Sequence, residues 1–339
     1  MMNTKKKGVT IASIANATGL SPSTISRAIN HRQLVNDETY DKIFSAMKEL
    51  GYSMPQESPI TTQLQEKRIL VVNVADVSNS FYKKIFRGIN IAANNYGWYV
   101  MINQDPINSS TYEHFLKILT NCNAIGLITF GLVERGILNS LLDILPVVQC
   151  CEFNQSARAP YISVDDFAAA VSLMEYLITN DHKRIAILNG PMNLKSERER
   201  QRGYEFALEQ HKMEINPEFV ISIAQSDYFM AHTSMSRLFK EEIIPDAVFA
   251  VSDVLAYATI VAAKENHLSV PGDLSVIGYD NINLSEMSIP KITTINLPCF
   301  KIGFLAGELI HDQWRDRSTL PKSLLLDTEL ILRDSTRTR

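Results

Sequence analysis

The 339-residue sequence predicts a small all-α domain, a polar linker, and an α/β core of two lobes built on parallel sheets. Three observations carry this expectation. The first fifty residues place apolar side chains at helical spacing, interrupted by a glycine and a Ser-Pro pair. Residues 53–68 are polar, hold two prolines and lack periodicity, as a linker does. From Arg68 onward short β-rich runs alternate with amphipathic segments, and the pattern starts again after "ISVDD". The length alone exceeds what one ordinary core supports.

The opening elements follow from local chemistry. Val9, Ile11, Ile14 and Ala15 share one helical face, with Thr10 placed as N-cap. Gly19 stops that helix, because glycine takes the left-handed conformation without penalty. Ser21 caps a second helix that has Pro22 at its first position, where the missing N–H is harmless. Ile25, Ala28 and Ile29 form its stripe. A third helix begins at the cap Asn36, buries Ile43, Phe44, Met47 and Leu50, and ends at Gly51. Each of the first two helices is too short to stand alone, so the three must pack together. The polar face of the second, Ser23, Thr24, Ser26, Arg27 and Asn30, offers hydroxyls, a guanidinium and an amide, groups suited to phosphates and base edges. With the turn between its first two members, this is a helix-turn-helix.

Charge distribution supports an anionic partner at this end. Net charge is -4, yet residues 1–36 hold Lys5, Lys6, Lys7, Arg27 and Arg32 and no acidic residue. A solvated basic tail is the plain alternative. Cys122, Cys150, Cys151 and Cys299 lack metal-ligand spacing, and no cofactor is expected. No apolar run approaches the roughly 18–20 residues that span a bilayer. The N-terminus has no apolar signal region, so the cytoplasm, with association to the nucleoid, is the expected location and no membrane partner is expected.

In the core, "ILVVNVAD", "WYVMINQD", "AIGLITFG", "LPVVQCC", "RIAILNG", "DAVFAVSD" and "LSVIGYDN" read as strands, and "SFYKKIFRGINIAANNYG" and "YEHFLKILTNCN" as helices. Ligands of open α/β sheets bind beyond the carboxyl ends of the strands. The polar residues there are therefore candidates: Asp76 with Asn79 and Phe81, Asp165, Ser252-Asp253, and Asp280-Asn281. Carboxylates and amides suit a polyhydroxylated ligand, and Phe81 or Tyr82 suits its ring. An Asp in such a place also serves simply as the N-cap of the next helix. Arg200 is the cation best placed to grip hydroxyls with a planar fork. The seven histidines form no His-x-x-x-His pair, and neither a Gly-x-Ser-x-Gly elbow nor a Gly-Lys-Ser/Thr loop occurs, so no enzyme is expected.

The series "VTIASIANATGLSPSTISRAIN" and "VNDETYDKIFSAMKELGY" resembles the DNA-binding headpiece of the lactose/galactose repressor family. "VADVSNSFYKKIFRGI", "ISVDDFAAA", "NDHKRIAILNGP", "AVFAVSDVLAYATIVAAKE", "VPGDLSVIGYDNINLSE" and "ITTINLPCFKIGFLAGEL" resemble that family's effector-binding core, which is similar to periplasmic sugar-binding proteins. The resemblance runs to the C-terminus. It implies a transcriptional repressor with a headpiece at 1–57, a hinge at 58–67 and a core at 68–339. The N-lobe is then about 68–163 and 294–322, and the C-lobe about 164–293 and 323–339.

The family's hinge pushes a leucine into the minor groove. Leu64 is the first choice for that wedge and Ile60 the second, in a linker that lacks the usual Pro-Asn-x-x-Ala pattern. DNA contacts are then expected from Thr10, Ser21, Pro22, Ser23, Thr24, Ser26, Arg27, Asn30 and Leu64. Effector contacts are expected from Asp76, Phe81, Arg200, Asp253 and Asp280. By position, Asp253 and Arg200 match the family's main effector contacts. A homodimer on pseudo-palindromic operator DNA follows from the same resemblance. Within the family the chain is most like the cytidine-responsive branch, through Ser252-Asp253, "GYDNINL", "GYSMPQ" and "ELILRDSTR". That likeness implies a nucleoside effector, and the cyclic-AMP receptor protein as a companion regulator. A sugar-responsive repressor is the alternative.

Overall fold

A computed structural model of the chain describes residues 10–30, 35–50, 52, 67–318 and 322–338. Two compact units divide it, residues 1–67 and 68–339.

In the first unit, helix α1 (Ile11–Thr18), α2 (Pro22–Asn30) and α3 (Asp37–Leu50) enclose a small core of Ile14, Ala15, Ile25, Ala28, Ile43 and Met47. Each helix starts where a side chain can satisfy its free amides. Thr10 and Ser13 form a reciprocal capping box on α1, and Gly19 ends the helix at φ +70°. Ser21 Oγ accepts from the Thr24 amide at 3.2 Å at the start of α2, and Asn36 Oδ1 accepts from the Thr39 amide at 2.9 Å before α3. Phe44, expected inside, is half exposed and stacks on Tyr40.

The second unit holds two six-stranded sheets. Strands β1 (Ile69–Asn73), β2 (Tyr99–Asn103), β3 (Ala124–Thr129), β4 (Val147–Cys150), β5 (Tyr161–Val164) and β11 (Leu324–Leu326) form one, in the order β11-β5-β4-β3-β1-β2, all parallel. The other takes β6 (Ile185–Asn189), β7 (Val220–Ser222), β8 (Ala247–Ala250), β9 (Ser275–Asp280), β10 (Thr293–Asn296) and β12 (Glu329–Ile331), in the order β12-β10-β9-β8-β6-β7. Only β12 runs antiparallel to its neighbour there. Near-continuous apolar strands such as Ile185–Asn189 are buried along their whole length, as sheets covered on both faces require.

The chain passes between lobes three times. The passages at 294 and 323 fall later than expected: β10 belongs to the C-lobe sheet through Asn296, and β11 to the N-lobe sheet through Leu326. Each of these strands finds a hydrogen-bonding neighbour in its sheet before the crossing, which delays the switch. After β10, the helix Cys299–Arg315 returns to the N-lobe and lies against the helix Tyr82–Asn95. Gly88 and Gly303 permit this approach, because a Cβ on either would overlap backbone of the other helix.

Candidate functional site

On the headpiece, Pro22, Ser23 and Arg27 are exposed on α2, while Thr24 and Ser26 are half-buried. The hydroxyls of Ser21, Ser23 and Thr24 are joined, Ser21 Oγ lying 2.7 Å from Ser23 Oγ and 2.9 Å from Thr24 Oγ1. Thr10, Ser21 and Thr24 thus organise the helix starts, and Arg27 supplies the exposed cation of the face. The Asn30 side chain, Leu64, Ile60 and the rest of the expected hinge up to residue 66 lie outside the described residues.

In the core, a cavity of about 810 Å³ opens at the carboxyl ends of the strands, with walls from both lobes. The N-lobe contributes aromatic surface. Phe81 meets Tyr82 edge-on at 5.2 Å between ring centroids, and Tyr82 meets Phe130 at 5.3 Å. Asp76 lies at the mouth, exposed, and its Oδ1 accepts from Ser78 Oγ and the Ser78 amide. These bonds hold its carboxyl below the ordinary value.

The C-lobe wall is polar and charged. Arg200 is buried, and each nitrogen of its fork makes a bond: Nε and Nη2 donate to Asp166 Oδ1 at 3.1 and 3.0 Å, and Nη1 donates to the Val251 carbonyl at 2.8 Å. Its guanidinium lies 3.8 Å from the centre of the Tyr279 ring. Burial disfavours the Arg200 cation, but Asp166, Tyr279, Glu197 and Asp280 together outweigh that and hold its pKa well above the usual value. Asp166 also receives Lys195 Nζ at 3.0 Å and the Tyr279 hydroxyl at 3.3 Å.

Asp280 lines the cavity from the end of β9 at φ +102°, followed by Asn281 at φ +52°. Two consecutive non-glycine residues in this region mark a turn that its surroundings hold in place. Arg333 Nη2 donates to Asn281 Oδ1 at 2.8 Å, and Asn281 Nδ2 donates to Asn296 at 3.0 Å. Burial pushes the Asp280 carboxyl well up, opposed by Arg200.

Asp253 requires a correction. It is fully buried and stands outside the cavity wall, accepting from the Thr294 hydroxyl at 2.6 Å and the Ile282 amide at 2.8 Å. Ser252, the N-cap of the same helix, lines the cavity instead. One step along a helix start turns a side chain by about 100°, so the neighbour of the expected residue faces the ligand space. Asp253 pins the turn that presents Asp280. The same offset separates Asp165, which caps its helix from an exposed position, from Asp166, which faces the cavity.

Sequence reasoning also passed over Glu152 and Glu197. Glu152, after β4 of the N-lobe, accepts from the amides of Lys195 and Ser196 at 2.7 and 3.0 Å, so it caps a C-lobe helix from across the cleft. Lys84 Nζ bridges in the other direction, to the Asn281 carbonyl at 3.1 Å. Glu197 lies in the cavity wall, and burial raises its carboxyl to about 7, with Arg200 opposing. Its place three residues before Arg200, on the same helical face, was the available signal.

A three-helix DNA-reading motif followed in the same chain by a two-lobed binding cleft defines a class, the ligand-responsive transcription regulators. Two family models match: bacterial regulatory proteins of the lacI family over residues 10–55, and a periplasmic binding protein-like domain over residues 174–336. The chain is 32% identical to the HTH-type transcriptional repressor CytR of Escherichia coli (strain K12), covering 99% of each sequence. A solved complex of the transcriptional regulator CelR with cellobiose is similar at 25% identity and a TM-score of 0.71, over 96% of this chain and 99% of that one. The lac repressor dimer bound to operator and anti-inducer has the same fold at 22% identity, with a TM-score of 0.72 over 97% and 99%. The chain belongs to the lacI family of bacterial regulatory proteins, DNA-binding transcription repressors rather than enzymes. Among the described residues no helix is long and apolar enough to cross a membrane.

Proposed function

We propose that this repressor binds its operator as a homodimer and that a nucleoside, with cytidine the first candidate, occupies the cleft and sets operator affinity. The cleft's asymmetry carries the reading. The aromatic surface of Phe81, Tyr82 and Phe130 suits a flat ring, and the opposing Ser196, Ser252, Arg200 and Asp280 suit ribose hydroxyls. Likeness to CytR supports the same choice.

Ser23 and Arg27 of α2, with the backbone amides at the starts of α1 and α2, then meet DNA, and Leu64 enters the minor groove. A dimer reads a pseudo-palindrome whose half-site spacing follows its own two-fold axis. The cyclic-AMP receptor protein is the proposed companion regulator. Occupancy shifts operator affinity through the interlobe contacts of Glu152 and Lys84, a coupling of about 1–3 kcal/mol in allosteric proteins generally. A sugar effector is the second reading, favoured by the likeness to a cellobiose-bound regulator.

A thermal-shift panel of nucleosides, purines and sugars on the full chain tests the effector. A ligand at 100 times its Kd stabilises its target by about 2.7 kcal/mol. Cytidine or another nucleoside is expected to shift the melt. A shift with hexoses or pentoses alone replaces the nucleoside reading by the sugar one.

A further inference from the structure

The cleft contains one polar group that the fold leaves unanswered. Glu197 is 6% exposed, lies in the cavity wall, and its Oε2 has no hydrogen-bond partner among the described residues. Leaving a buried polar atom unpaired is costly, so nearly all such atoms are paired and each exception calls for a cause. The neighbouring cations do not supply one. Arg200 directs three of its five N–H groups to Asp166 and Val251, Lys195 Nζ is held by Asp166, and neither bonds Glu197 Oε2. Turning either toward Glu197 would uncover the buried Asp166 carboxylate.

The surroundings also keep a place for this carboxyl. A Cβ at Gly190 would lie 2.7 Å from Glu197 Oε1 and would overlap the Ser226 hydroxyl. Glycine there leaves room for both groups at the cavity edge. Acidic groups surround the position: Glu152 from beyond β4, Asp166 from the helix Asp166–Thr179, and Asp280 from the end of β9, set against Arg200 on its own helix. Such a field favours a ligand that brings a donor and disfavours one that brings a carboxylate or phosphate.

We infer that Glu197 is the specificity-determining residue of the cleft: its free carboxyl oxygen takes an N–H from an amino group on the effector's ring. The effector is thereby an unphosphorylated, hydroxyl-bearing compound with an amino-substituted heterocycle. This rests on the reading of the cleft as an effector site. Against the aromatic wall of Phe81, Tyr82 and Phe130 a flat ring presents its in-plane edge, and on such an edge the strong donors are N–H groups. The serine hydroxyls and Asp280 remain for the sugar.

The test compares cytidine with uridine, which carries an oxo group where cytidine has the amine. Titration calorimetry on the full chain is done at pH 8, where a carboxyl raised to about 7 is ionised and only accepts. The parent is expected to bind cytidine about 10- to 100-fold more tightly than uridine, the loss attached to one hydrogen bond with a charged group. Glu197→Gln, similar in shape and able both to donate and to accept, is expected to erase that preference. Glu197→Ala is expected to weaken cytidine and leave uridine unchanged. Equal binding of both nucleosides by the parent overturns the inference and leaves the effector reading standing. A preference that persists in Glu197→Gln overturns it too. If neither nucleoside binds, the inference falls together with cytidine as the first candidate.

Discussion

The headpiece and the core use their polar side chains over different distances along the chain. In the headpiece the partners sit three residues apart: Thr10 with Ser13, Ser21 with Thr24, Asn36 with Thr39. Around the cleft, beside local pairs such as Asp76 with Ser78, the buried groups pair remotely. Arg200 meets Asp166 across 34 residues and Val251 across 51, Asp253 meets Thr294 across 41, and Glu152 meets Lys195 across 43. Local pairs define elements and contribute modestly, one cap at a time. Remote pairs hold two lobes and a strained turn in one arrangement, and removing one member leaves a buried charge behind.

The largest expected effect follows from that difference. Arg200→Ala strands Asp166, 2% exposed, with only Lys195 and the Tyr279 hydroxyl as partners, and leaves the Val251 carbonyl unpaired. Breaking one member out of a buried ion pair costs about 3–5 kcal/mol. Urea unfolding of the core should show a loss of that size, with Arg200→Lys intermediate because it restores the charge without the fork. A loss below about 1 kcal/mol, the range of exposed ion pairs, would show that Asp166 finds other partners and that the cleft is not tied together at this point.

A smaller effect tests the unanswered carboxyl. Glu197 ordinarily titrates at 4.5 and is raised by burial to about 7 in the folded chain. Between those values the folded state keeps a proton that the unfolded chain has released. Its contribution to stability therefore falls as pH rises from about 4.5 to about 7 and stays low above that. Glutamine cannot ionise, so Glu197→Gln is expected to be more stable than the parent at pH 8, by about 1–3 kcal/mol. The two should converge near pH 5. Asp253, also raised to about 7 by burial, titrates in both proteins and cancels from the difference. Melting curves at the two pH values decide it, and a constant difference across them rules out ionisation of Glu197 as the source.

The same contrast explains what was legible in the sequence. Thr10, Gly19, Ser21 and Pro22 announce their roles to neighbours within one turn, so the ends of the first two helices could be read residue by residue, whereas Phe44 and Leu50, expected inside α3's packing face, are exposed. The alternation of apolar strands and helices likewise placed the sheets, and the rule of ligands beyond strand ends placed Asp76, Phe81 and Asp280 at the cavity. What could not be read was which of two adjacent polar residues faces inward. Ser252-Asp253 and Asp165-Asp166 each divide one capping role and one buried role. The outcome depends on contacts, with Thr294, Ile282 or Arg200, that no local pattern carries. Glu152 was hidden for the same reason, because its partners are backbone amides on the opposite lobe.

The smallest expected effect sharpens the comparison from the headpiece side. Ser21 Oγ accepts from the Thr24 amide and touches the hydroxyls of Ser23 and Thr24, all within α2's first turn. Replacing an N-cap serine by alanine costs about 1 kcal/mol. Ser21→Ala is therefore expected to speed hydrogen exchange at the amides of α1 to α3 by about fivefold, the factor that matches this energy. Exchange in β1 through β12 should not change, since no Ser21 partner lies beyond Ile25 among the bonds seen here. A change that spread into the core strands would mean that the first unit's polar groups act at long range after all, and the division between local and remote pairing would fail.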